Sequence, residues 1–216
     1  MMHKLDHIVI GAFTLEEGTC FVENRLQRKL SDIGYHKDLG THNRVIKISD
    51  KVYLEVIAID PENLNSKKRK CFNLENSNLQ RKLEKSPQII SYVIESKFKN
   101  ILKYYDPFFE ASRSDYRWLF AMPSYRSILD RDIIESGIVP SLISWKSEKP
   151  INQMQENHID LINFEIKILE TQKNFRTFFN SFGQIDYVSV SMTNTEDTPI
   201  FKLKLRDKLR NLVISL

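Results

Sequence analysis

Apolar side chains in this chain come in short runs separated by polar turns, and the runs alternate between strand-like and helix-like spacing. Residues 5 to 12 run apolar as a strand. Thr14 followed by Glu17 then forms a capping-box pattern that opens a helix carrying Val22 and Leu26 on one face. After Gly34, residues 43 to 48 and 52 to 59 read as two strands joined by Ser49-Asp50-Lys51, and Pro61 ends the second. The order restarts with a strand over 88 to 96, a helix over 97 to 105 and strands over 118 to 122 and 141 to 145. It restarts again with a strand over 159 to 168, a helix over 172 to 182 stopped by Gly183, and strands over 185 to 192, 200 to 205 and 212 to 216.

Three strand–helix–strand units follow, an architectural repeat without sequence repetition. Polar, proline-containing connections draw the boundaries: a first βαβββ module over 1–78, a second, βαββ-like module over 79–148 and a third βαβββ-like module over 149–216. The class is α+β, with curled mixed sheets that form a cup when two modules stand side by side.

Composition narrows the function. With 216 residues and 41% apolar content the chain can bury a substantial core. A net charge of +4 is a mild excess, and its densest cluster, Lys67 to Lys70, reads as a solvated loop, so nucleic acid is not expected as a partner. Charged residues interrupt every apolar stretch, which excludes a membrane-spanning helix. Cys20 and Cys71 are far apart without metal or redox spacing, and the chain opens directly on a strand, which points to a cytoplasmic protein with reduced thiols.

Two residues stand out against their surroundings. His7 in HIVIGA and Glu55 in VYLEVIAID put ionisable groups into runs that otherwise read as buried strand. Coming from the first and last strands of one module, they can converge on a divalent cation, nitrogen and oxygen donors together, or form a buried structural hydrogen bond. The stretch HKDLGTHN brings His36, Thr41, His42 and Asn43 together around Gly40, either as a ligand-shaping mobile loop or as a solvated one. Trp118 and Trp145, with Phe120 and Tyr125, are candidates to wall an apolar pocket or simply to fill core. Phe175, Phe178, Phe179 and Phe182 follow helical spacing and read as core, and His158 reads as exposed. No serine-hydrolase elbow, phosphate loop, zinc-protease or dinucleotide motif occurs.

The stretches LDHIVIGAFTLEEG, GYHKDLGTHNRVIKI and KVYLEVIAIDP resemble, in order and spacing, the glyoxalase-like domain proteins of the vicinal-oxygen-chelate superfamily. The resemblance implies βαβββ modules paired into cups, with metal ligands from the first and last strands of each module, hence His7 and Glu55 here. The corresponding positions elsewhere are Ser91 or Tyr92 and Ser144 or Trp145 in the middle module, and Asn163 or Glu165 and Ser215 in the last, so the four-ligand set is incomplete. The implied function is a small-molecule metalloenzyme of lyase, isomerase or dioxygenase type, its divalent cation acting as a Lewis acid and His42 or His36 moving protons. Thr41, Asn43, Trp118 and Trp145 would contact the ligand. The alternatives are a metal-free protein that sequesters a small molecule and a non-catalytic homodimeric module. A chain with one odd module also predicts a homodimer.

Overall fold

Strand β1 (Lys4–Gly11) is buried along nearly its whole length and lies in the middle of the molecule's larger sheet. The computed structural model describes residues 3–64, 71–96, 102–127, 129, 131–195 and 200–216. Helix α1 (Leu15–Leu26) begins at the predicted capping box, with the Glu17 amide donating to Thr14 Oγ1 and the Thr14 amide to the Glu17 carboxylate. Strands β2 (Gly34–His36), β3 (Thr41–Lys47) and β4 (Tyr53–Ile59) complete the first unit.

A short helix α2 (Ser77–Leu83) leads to β5 (Gln88–Glu95), β6 (Phe109–Arg113), β7 (Tyr116–Ala121), helix α3 (Arg131–Glu135) and β8 (Ser141–Trp145). All eight strands form one sheet in the order β2-β3-β4-β1-β5-β8-β7-β6. Each half has the same internal order, and the halves meet where β1 and β5 run antiparallel. The sheet curls so that one face forms a cup. The expectation of two side-by-side curled modules forming such a cup therefore holds for the first two units.

The C-terminal part adds β9 (Ile159–Leu169), helix α4 (Lys173–Asn180), β10 (Val188–Thr193), β11 (Phe201–Asp207) and β12 (Leu212–Ser215). Its sheet order is β10-β9-β11-β12, so the first strand sits inside the sheet, whereas β1 sits at the end of its half. This smaller sheet stacks on the outer face of the large one. Tyr92 of β5 meets Phe164 and Phe201 edge-to-face, with ring centroids 5.4 and 6.2 Å apart, and Tyr92 Oη donates to the Ile138 carbonyl at 2.9 Å. In the first unit that outer face is covered by α1, through Val22 and Leu26. Between β5 and β6 the expected helix over 97 to 105 lies partly outside the described residues, and its described part, Leu102–Tyr104, is a single 3₁₀ turn. The basic cluster at 67–70 also lies outside the described residues.

Residues facing the helices and the small sheet form one core, whereas Val9, Ile57, Val93, Phe120 and Ile143 form a second core inside the cup. The phenylalanines of α4 belong to the first, as their spacing predicts. Among the described residues, no helix is long and apolar enough to cross a membrane, and Cys20 and Cys71 form no disulfide.

Candidate functional site

The floor of the cup is built by β1 and β4, which run parallel with His7 beside Tyr53 and Val9 beside Glu55. Alternation along a strand therefore sends His7, Val9, Tyr53, Glu55 and Ile57 to the cup and Ile8, Ile10, Leu54 and Val56 to the outer core. Asp6 escapes that rule. On β5, Leu5 is opposite Ile94 and His7 is opposite Val93, so Asp6 is an extra, unpaired residue in a β-bulge. The bulge lets two consecutive side chains work together: Asp6 Oδ1 lies 2.7 Å from His7 Nδ1, and Asp6 Oδ2 accepts from Trp145 Nε1 at 2.8 Å. On the other side of the ring, His7 Nε2 is 3.4 Å from Glu55 Oε2. The imidazole also stacks on Tyr53, centroids 4.6 Å apart.

The stretch HKDLGTHN is an ordered hairpin, not a loose loop. Strands β2 and β3 pair His36 with Thr41, Tyr35 with His42 and Gly34 with Asn43. His36, Thr41 and Asn43 thus face the cup, with His36 Nδ1 3.0 Å from Thr41 Oγ1 and Asn43 Nδ2 donating to Glu55 Oε1. His42 belongs to the other face, beside Tyr35, and its Nε2 is buried without a hydrogen-bond partner among the described residues. The two proton-transfer candidates, His36 and His42, thus lie on opposite faces of one hairpin.

The second half of the cup is apolar and aromatic. Trp118 of β7 meets Trp145 of β8 at 5.5 Å between rings and the edge of His36 at 5.9 Å. Phe120, Ile143, Phe72 and Tyr116 continue the wall. Together the two halves enclose about 530 Å³, open mouth included. Opposite the His7 position stands Val93, and the cup-facing residues of β8 are Ile143 and Trp145. Asn163, Glu165 and Ser215 lie on the small sheet, where Asn163 and Glu165 accept from Ser189 and Ser191. Tyr125 is partly exposed and does not line the cavity.

Electrostatics separate the two histidines that share the cup. Burial alone disfavours the charged form of His7, but its bonds to Asp6 and Glu55 and their charges outweigh it and raise its pKa to about 9. Burial lowers His36 to about 4, with the Glu55 charge opposing and the Arg113 charge assisting the drop. Burial would raise Glu55, yet the His7 hydrogen bond and charge, with help from His36 and Asn43, bring it down to about 2. At neutral pH and without a metal, an imidazolium therefore lies beside an ionised Glu55, and a neutral imidazole stands next to them.

Sequence reading did not find Asp6, Tyr53 or Arg113. Asp6 directly precedes His7 in LDHIVIG, and only the bulge brings it into play. Arg113 comes from the end of β6, and its Nη1 donates to Asn43 Oδ1 at 2.6 Å. Gly34 makes this approach possible, since a Cβ there would lie 2.5 Å from Arg113 Cδ and 2.6 Å from Asn43 Oδ1.

A curled eight-stranded sheet of two equivalent halves, with a histidine and a glutamate on the first and last strands of one half, is the vicinal-oxygen-chelate arrangement. The chain matches the family model described as a glyoxalase-like domain over residues 5–173, and it belongs to that family. A crystal structure of a hypothetical protein from Staphylococcus aureus superposes with a TM-score of 0.63 at 17% identity, covering 100% of this chain and 85% of that one. Methylmalonyl-CoA epimerases give lower values. One from Streptomyces coelicolor has a TM-score of 0.44 at 15% identity, over 69% of this chain and 100% of that one. One from Mycobacterium tuberculosis has 0.41 at 14%, over 64% and 85%. No curated protein matches the sequence.

Proposed function

We propose that this protein is a glyoxalase-like enzyme acting on a small molecule bound in the cup, with a divalent cation held by His7 Nε2 and Glu55. The observation that supports the reading is the row Asp6, His7, Glu55 on the cavity floor. Asp6 occupies Nδ1, the second-sphere contact that orients a metal-bound imidazole, and leaves Nε2 and the Glu55 carboxylate side by side. Two carboxylates around one imidazole favour a cation in place of the proton. Among the described residues no group of three or more His, Cys, Asp or Glu side chains is placed to hold a metal ion, so the protein supplies two donors and leaves the other positions open.

When bound, the cation supplies Lewis-acid polarisation of a carbonyl or enolate oxygen. The chain's own residues do the rest. His36, neutral at pH 7, is the group in the cup that can accept a proton, and Thr41 at Nδ1 holds its ring in place. Asn43 fixes the Glu55 carboxylate, while Trp118 and Trp145 exclude water from the other side.

Metal analysis and calorimetric titration test the cation. Wild type should bind a divalent ion with a stoichiometry near one, and His7→Ala or Glu55→Ala should abolish the heat. Equal, negligible binding in all three would favour the metal-free reading, which draws on the apolar Val93, Ile143 and Trp145 of the second half. There the His7 imidazolium would itself hold an anionic ligand for sequestration.

His42→Ala serves as the contrast. Because its side chain lies on the far face, the cation titration should be unchanged and stability should move by less than about 1 kcal/mol. A lost titration with an intact fold would restore His42 to the site.

A further inference from the structure

The cavity mouth carries the guanidinium of Arg113. Val45, Arg113, Tyr116 and Pro150 line both the cup and a surface groove that continues along residues 153–158. The other cations of that groove are already paired: Arg28 with Asp207, Lys29 with Glu23, and Lys47 with Asp50 and Glu156. Arg113 has no carboxylate within ion-pair distance among the described residues. Of the five N–H donors of its guanidinium, one is used by Asn43 Oδ1, and the group lies 5.7 Å from the Tyr116 ring centroid.

Its position is also fixed. Asn43 grips Arg113 through Oδ1 and Glu55 through Nδ2, so one amide sets the spacing between the mouth and the floor. Gly34 leaves the space through which the arginine passes. A half-buried, preoriented arginine fork with open donors, facing an aromatic wall, matches a planar carboxylate on an apolar body.

We infer that Arg113 is the specificity-determining residue of the cup and that it selects small carboxylates whose apolar, aromatic-sized body packs against Trp118 and Trp145. This deepens the functional reading above by naming the ligand class, and it rests on that reading's placement of the ligand in the cup. The carboxylate meets Arg113 at the mouth, and the body points to the His7 floor.

Both tryptophans of the chain line the cavity, so intrinsic fluorescence reports on it directly. Benzoate and phenylacetate, with benzamide and phenylacetamide as uncharged counterparts, are titrated into the full chain in excess EDTA. The two acids should quench saturably and the amides at least about tenfold more weakly; Arg113→Gln should weaken the acids by a similar factor and leave the amides alone. Arg117→Gln, an exposed arginine on β7, should change nothing. Equal binding of acids and amides by wild type, unchanged acid binding by a folded Arg113→Gln, or no saturable quenching by any of the four would overturn the inference. The acid–amide comparison in wild type tests the charge requirement alone, and if Arg113→Gln does not fold, Arg113→Lys, which keeps the charge without the planar fork, decides it: unchanged acid binding there overturns the inference. Since the titration runs without metal, failure here with a normal cation titration refutes Arg113 selection alone, and the converse refutes the cation alone.

Discussion

In the presence of a chelator, folding stability should pass through a maximum near pH 6.5 and fall on both sides. His7 has a folded pKa of about 9 against 6.5 unfolded, so its contribution is fully present below 6.5 and is lost as pH rises through 9. The loss is on the order of 3 kcal/mol, because each pKa unit corresponds to about 1.4 kcal/mol and the ring is buried. His36 acts with the opposite sign. Its folded pKa of about 4 lies below 6.5, so the unfolded chain takes up the proton first and stability declines as pH falls from 6.5 towards 4. His3 and His42, also lowered by burial, add to that acid limb. Glu55, held at about 2, contributes stability that is present above 4.5 and is lost only below that range. Urea unfolding from pH 4.5 to 9 should therefore lose its alkaline limb in His7→Gln and keep part of its acid limb in His36→Gln. A wild-type curve that is flat from 6.5 to 9 would mean that the His7 proton is not held by Asp6 and Glu55.

Removing Asp207 should be among the most damaging single changes away from the site. Its fully buried carboxylate accepts from Arg28 Nη2 at 3.2 Å, from Arg210 Nε at 2.5 Å and from the backbone amides of Leu209 and Arg210. Arg210 also donates to the Leu26 carbonyl at the end of α1, and Arg28 to the Asn157 carbonyl. The cluster thus ties the small sheet to the helix that covers the first half of the cup. Asp207→Ala leaves two partly buried guanidiniums without their acceptor, a class of change that costs about 3–5 kcal/mol. Asp160→Ala, which removes a half-exposed partner of Lys208, should cost less than about 1 kcal/mol. Similar urea midpoints for the two variants would show that the clamp is not what docks the small sheet.

What the sequence revealed and what it hid follow from what periodicity encodes. His7 and Glu55 were visible because a charge in an apolar strand is costly and rarely idle, and the structure brings them within 3.4 Å. Strands β1, β4 and β5 were visible as largely apolar stretches, each broken by one or two polar residues. Strand β2 has only three residues and one exposed tyrosine between buried neighbours, too short to show a period, so the hairpin that separates His36 from His42 read as a loop. Pairing order is not encoded in periodicity at all. The C-terminal unit has the anticipated succession of elements, but β9 lies between β10 and β11. Arg113 escaped notice because its role depends on a glycine 79 positions earlier, a relation created only by folding.

The bulge at Asp6 makes the surroundings of His7 and the sheet separable. Leu5 and His7 pair with Ile94 and Val93, which are consecutive on β5, and Leu5 already belongs to the outer core while His7 faces the cup. A chain lacking Asp6 would join those two residues directly and remove this irregularity, leaving only the one between Val9 and Ile10, with every other side chain on its present face. Most one-residue deletions in a central strand turn part of it inside out. This one would subtract a single carboxylate, so the scaffold can gain or lose the group hydrogen-bonded to its histidine by an indel, without redesign of the surrounding sheet.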